Sequence, residues 1–212
     1  MYVLYYAPGT ASFAVHWLLL ELGVPFETRL VDLEAKAQKE PEYLRLNPRG
    51  TVPTLIVDGV PRHETAALLL LLAERHRAAG FEVAPDAPAR ADYLQWMLYL
   101  ANTVQPLFRN WFYVDEVAGA ECAKAVKAHT RARIEAAWDL AATRLGETPY
   151  LAGDCVSAVD FLAAMLMFWS HDLRKPAGEW PALNAYLGRL RARPVFSKLL
   201  AREGLGWPFG AK

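Results

Sequence analysis

The sequence predicts a small α/β domain followed by an all-helical domain, and three observations predict it. The first third alternates strand-like and helix-like segments. Beyond about residue 90 almost every segment shows apolar recurrence at three and four, the helical period. Between these halves "RAAGFEVAPDAPAR" has the small, proline-containing composition of a linker. The expected boundaries are 1–78 for the α/β domain, 79–89 for the linker and 90–212 for the helical domain.

Taken in order, Tyr2 to Tyr6 is a short β-rich run. "SFAVHWLLLELG" has helical spacing and stops at Gly23, and Phe26 to Val31 reads as a second strand after Pro25. Thr54 to Val57 and Val60 to Arg62 flank Asp58-Gly59, the strongest short-range hairpin signal. Glu64 to Arg77 then reads as a helix. In the second half the expected helices cover Tyr93 to Leu100, Lys124 to Leu145, Ser157 to Trp169, Leu183 to Leu190 and Val195 to Leu200. Ser157 and Asp160 form the S-x-x-D pattern that starts a helix by reciprocal capping.

Composition narrows the function. The chain has 212 residues, 54% apolar and 22% charged, enough to bury real cores. Lys plus Arg and Asp plus Glu both number 23, so no net field draws the protein to nucleic acid or an anionic membrane. The longest apolar run, Ala66 to Ala73, falls far short of the roughly 20 residues that span a bilayer, and a cytoplasmic location is expected. Cys122 and Cys155 are the only cysteines, with no Cys/His spacing for a metal, and none is expected.

The chemistry-bearing stretch is "GTVPTLIVDGVPRHET". Pro53 interrupts an apolar run at the entrance to a strand, where it either ends an edge strand or supplies a cis bond. A cis Val52-Pro53 bond would leave the Val52 main chain facing outward, ready to pair with an extended peptide. Glu64-Thr65 opens the next helix, whose free N–H groups favour a carboxylate while Glu64 could hold an ammonium. A small peptide with a free α-amino acid end suits both features, and glutathione is such a peptide.

"NPRGTVPTL", "ETAALLLLLAE" and "YLAGDCVSAVDFLAAM" together resemble the cytosolic glutathione transferases across nearly the whole chain. "LYYAPGTASFAVHWLLLELGVPFE" is most similar to the start of the bacterial beta class. The resemblance implies a thioredoxin-like first domain and an all-helical second one. It implies that Val52, beside Pro53, pairs with the cysteinyl part of glutathione and that Glu64 and Thr65 hold the γ-glutamyl part. Lys36, Arg49 and Thr51 are the implied neighbours of the glycine carboxylate.

Two departures bear on mechanism. Ala11 stands where the beta class keeps a cysteine, and "YLANTVQPLFRN" lacks the histidine expected at the start of the helical domain. A mixed disulfide with the protein is then not expected, and hydroxyl activation of the thiol is left. The candidates are Thr10, which matches the serine or threonine of theta-like and nu-like classes, Ser12 one step on, and Tyr6, at the end of the first strand. Thr10 and Ser12 also read as plain helix caps. His16 and His171 read as packing or surface residues. Trp111, Phe112, Tyr113, Phe168, Trp169, Trp207 and Phe209 are core aromatics or part of an apolar wall, with Tyr113 and Trp207 the expected contacts of an apolar electrophile. The "LLLLLAE" helix is apolar on every face, and a homodimer is expected. The expected activity is conjugation of the glutathione thiolate; alternatives are a glutathione-dependent reductase, peroxidase or isomerase, or a non-catalytic binding protein.

Overall fold

The computed structural model describes residues 1–208. Two compact units form: one joins Met1–Glu82 to Arg193–Trp207, and the other is built on Val83–Ala192.

The first unit holds a four-stranded sheet of β1 (Tyr2–Tyr6), β2 (Phe26–Leu30), β3 (Thr54–Val57) and β4 (Val60–Arg62), in the order β2-β1-β3-β4. β1 runs parallel to β2 and antiparallel to β3, with Leu4 opposite Leu55. Asp58 and Gly59 both take positive φ, 53° and 79°, which is what a two-residue turn matching the strand twist requires. α1 (Ser12–Leu22) crosses between β1 and β2 and ends at Gly23, whose φ of 64° closes the helix in the left-handed region. It is enclosed from Ser12 to Leu20, and Phe13, Trp17, Leu18 and Leu19 join Leu4 and Leu55 in the core. Full burial of each such side chain contributes about 1.5–3 kcal/mol. α2 (Pro41–Leu46) was not expected from the sequence; it is short and buries only Tyr43. α3 (Thr65–Arg75) follows the hairpin and buries Leu68, Leu69 and Leu72, leaving Leu70 and Leu71 half-buried.

The second unit contains α4 (Arg90–Tyr99), a π-helical turn over Leu100–Val104, α5 (Gln105–Phe112), α6 (Val114–Glu147), α7 (Ala158–Trp169) and α8 (Pro181–Arg191). α6 is two helical stretches joined at Gly119, where φ is 66° and ψ 167°. α7 is buried from Ala158 to Phe168, as suits a helix apolar on all sides. Phe108 stands 5.9 Å from Trp169 and 6.1 Å from Trp138, ring centre to ring centre; Phe108 and Trp138 are core, and Trp169, half-buried, packs on Phe108.

α9 (Phe196–Glu203) lies beyond residue 90 in sequence yet groups with the first unit. Side chains explain the return: Phe196 meets Trp17 at 4.9 Å between ring centres, and Arg193 gives two hydrogen bonds to Glu21, at 2.6 and 2.7 Å.

Candidate active site

The loop from Ala7 to Ser12 turns β1 into α1 with no side-chain cap on the helix and no acid in its first turn. Two hydroxyls fold back instead. Thr10 Oγ1 donates to the Ala7 carbonyl at 2.7 Å and lies 2.9 Å from Ser12 Oγ. Ser12 Oγ donates to that same carbonyl at 3.0 Å and accepts the Ala7 N–H at 3.2 Å. Because each hydroxyl has one proton, Ser12 keeps the Ala7 carbonyl satisfied whenever Thr10 turns its own elsewhere. Ser12 is 0% exposed while Thr10 is half-buried, so of this pair only Thr10 can meet an incoming molecule. Tyr6 pairs by its backbone with Leu30, and its ring edges His16 at 5.5 Å.

The start of α3 is tied to this loop. Thr65, buried, donates from Oγ1 to the Ala11 carbonyl at 3.0 Å, joining the starts of two helices with no acid within their first turns. Glu64 occupies the cap position of α3 alone, with φ of 69°, a region that costs a residue bearing Cβ about 1–3 kcal/mol, and its exposed carboxylate is ion-paired with Arg49. His63 stands beside Thr54 with its pKa lowered, first by burial and then by the Arg49 and Arg62 charges.

Between α2 and β3 the chain carries the Val52–Pro53 bond, which is cis. Val52 is half-buried and, among the described residues, neither its N–H nor its carbonyl has a partner. The approach to it is braced from below. Asn47 Nδ2 and the Tyr43 hydroxyl both donate to the Thr51 carbonyl at 2.7 Å, and Lys39 Nζ donates to the Gly50 carbonyl at 3.0 Å. Burial raises the Tyr43 pKa, keeping it a donor. Gly50 has no room for a side chain: a Cβ would stand 2.7 Å from the Gln38 carbonyl oxygen.

Thr10, Thr65 and, through Arg49, Glu64 thus surround two helix starts and a loop with an unpaired residue. Lys36 is exposed at φ 58°, and the lysine that reaches the 49–51 loop is Lys39, which the sequence reading missed along with Tyr43 and Asn47. Thr51 is exposed beside Val52. Tyr113 belongs to the second unit, 46% exposed under the Arg109 guanidinium at 3.8 Å. Trp207 belongs to the first, with its ring 5.2 Å from Phe196; Phe209 lies outside the described residues. His16 is buried as expected, but it has a carboxylate partner, Glu203 at 2.6 Å. Among the described residues no group of three or more His, Cys, Asp or Glu is arranged to hold a metal ion. No helix among them is long and apolar enough to cross a membrane.

Comparison with known proteins agrees with this architecture. The glutathione S-transferase N-terminal domain family matches residues 11–75, and the corresponding C-terminal domain family matches residues 124–189. Glutathione S-transferase GST-4.5 of Xanthomonas campestris is 31% identical over 208 residues, covering 95% of this chain and 98% of that protein. The disulfide-bond oxidoreductase YfcG of Escherichia coli is 25% identical over 211 residues, covering 96% of each. A glutathione transferase homologue from Sulfitobacter, solved with bound glutathione, superposes with a TM-score of 0.88 at 26% identity over 97% of this chain and 99% of that one. The chain belongs to the glutathione S-transferase family. Its function is that of a glutathione transferase.

Proposed function

We propose that glutathione lies across the starts of α1 and α3 and that its thiolate is transferred to an apolar electrophile. Glu64 takes the γ-glutamyl ammonium, exchanging Arg49 for it, and the first turn of α3 at Thr65 takes the carboxylate. The Val52 main chain, beside Pro53, pairs with the cysteinyl unit. Arg49, released, joins Thr51, Lys36 and Lys39 around the glycine carboxylate.

The Thr10 hydroxyl donates a hydrogen bond to the sulfur and keeps its proton. A free thiol with pKa about 8.5 is only a few per cent ionised at neutral pH, and a charge-assisted hydrogen bond at a helix start stabilises the anion. The thiol proton leaves to solvent. With a chloronitroaromatic acceptor the thiolate then forms the new C–S bond while chloride departs with the C–Cl electron pair. Tyr113 and Trp207 are the proposed contacts of the electrophile. No metal takes part in this scheme, and the protein works as a cytoplasmic homodimer of chains divided near residues 79–89.

The observation that carries the reading is the Thr65–Ala11 hydrogen bond, which joins the helix start suited to a γ-glutamyl group to the loop bearing Thr10. Calorimetric titration with glutathione tests it, followed by product analysis with a chloronitroaromatic, a peroxide and a glutathione mixed disulfide. Binding with conjugation supports the transferase. Similarity to an oxidoreductase favours the mixed disulfide as a second substrate, and turnover of that compound alone would replace transfer by reduction. Absence of any heat of binding would leave a non-catalytic protein.

A further inference from the structure

We propose that Glu203, at the end of α9, is a positioning residue that fixes the Gly9–Thr10 loop from behind, with His16 holding its side chain in place. The role rests on the reading above that Thr10 faces the glutathione sulfur.

Three observations carry it. Glu203 and His16 are both fully enclosed, with side chains 0% and 1% exposed, and a buried carboxylate is tolerated only when its oxygens are bonded. Each oxygen here has its own donor: Oε1 meets His16 Nδ1 at 2.6 Å, and Oε2 accepts the Gly9 N–H at 2.9 Å. The carboxylate also stands in the last turn of α9, where the helix dipole opposes an anion, so α9 by itself does not favour it.

Docking of α9 does not require this pair. Arg193 with Glu21, and Phe196 with Trp17, already seat the helix on α1. What the His16–Glu203 pair adds is direction. The Tyr6 and Phe26 rings stand steeply inclined to the His16 ring, 5.5 and 5.6 Å between centres, and Nε2 has no partner among the described residues, so Glu203 and two aromatic rings orient the imidazole. The imidazole in turn aims the second carboxylate oxygen at Gly9. That residue has φ of 67°, and the bond to its N–H selects this conformation for the residue that delivers Thr10. A side chain 194 positions downstream thereby sets the donor geometry at the sulfur.

The full-length protein carries the test. Glutathione affinity is measured by calorimetry, turnover with a chloronitroaromatic, and thiolate by the ultraviolet absorbance of bound glutathione against pH. The double variant His16→Leu/Glu203→Leu replaces a buried pair by apolar side chains, a change that folds generally tolerate. It is expected to bind glutathione within about threefold of the unmodified protein, while kcat falls about tenfold and the absorbance step moves to higher pH, as loss of one oriented hydrogen bond predicts. Glu203→Gln, which keeps an acceptor for the Gly9 N–H, should recover most of kcat. Arg193→Met, which loosens the other end of α9, should leave the absorbance step in place.

A double variant that titrates and turns over like the unmodified protein overturns the proposal, as does an equal shift in Arg193→Met. Should the double variant not fold, hydrogen exchange at the Gly9 amide of the unmodified protein decides. Protection like that of helical amides supports the latch, and exchange at the rate of an open loop removes it. If the unmodified protein binds no glutathione, the reading of the site fails and takes the latch's role with it; binding with an indifferent variant defeats the latch alone.

Discussion

The starts of α1 and α7 solve the same problem in opposite ways. At α7, Asp160 is buried and accepts from the Ser157 N–H at 2.7 Å, the Leu151 N–H at 3.1 Å and the Tyr186 hydroxyl at 2.7 Å. Burial raises the pKa of Asp160, against those donors, and raises that of Tyr186 as well. Every demand of that helix start is met internally. At α1 the cap position is Ala11, the first turn has no acid, and Thr10 and Ser12 share one carbonyl between them. A helix end closed on itself serves folding, whereas one left with a spare hydroxyl and an uncompensated dipole can serve an anion.

The contrast breaks most visibly at Asp160. Asp160→Ala strands four donors, the Ser157 hydroxyl included, and is expected to lower unfolding stability by about 3–5 kcal/mol in urea, with turnover per folded molecule unchanged. Thr10→Val should do the reverse. Loss of a charge-assisted hydrogen bond of about 1.5–3 kcal/mol lowers kcat/KM roughly 10- to 100-fold, while the denaturation midpoint barely moves. Equal stability losses in the two variants would erase the distinction.

Glu64→Gln sharpens the picture on the α3 side. It should raise KM for glutathione about tenfold with kcat nearly kept, since it removes binding common to ground and transition states. Its own stability change should be small, because Glu64 and Arg49 are each 61% exposed and surface pairs contribute about 0–1 kcal/mol.

The smallest expected effect is at His63. Its folded pKa is lowered, so its contribution to stability is present above its unfolded value of about 6.5 and is lost as pH falls through the folded one. Denaturation midpoints on the two sides of that window should differ less in His63→Asn than in the unmodified protein.

Much of this was legible because local signals agreed with one another. The Asp58-Gly59 turn, Gly23 and the Ser157/Asp160 box each mark an element boundary by their own chemistry. α2 escaped because six residues with one buried side chain leave no period to read. α5 escaped because Pro106 and the π turn at Leu100–Val104 break the helical spacing before it. The start of α6 lay hidden beyond Gly119.

At the site, residue types pointed to Thr10, Val52, Pro53, Glu64 and Thr65, but only packing separates Thr10 from the enclosed Ser12. Lys36 and Lys39 differ by three positions, and it takes the fold to show that Lys39 turns under Gly50. Glu203 could not be read at all. Its partners, His16 and Gly9, lie 187 and 194 residues away, and nothing local in "LLAREG" marks a buried carboxylate.

A crystal structure with glutathione bound tests the central claim most directly. The expected result has Thr10 Oγ1 as the hydroxyl nearest the sulfur, within about 3.5 Å, and the Val52 main chain paired with the cysteinyl unit. A sulfur held by Tyr6 instead, with the Val52 main chain still unpaired, would contradict the account.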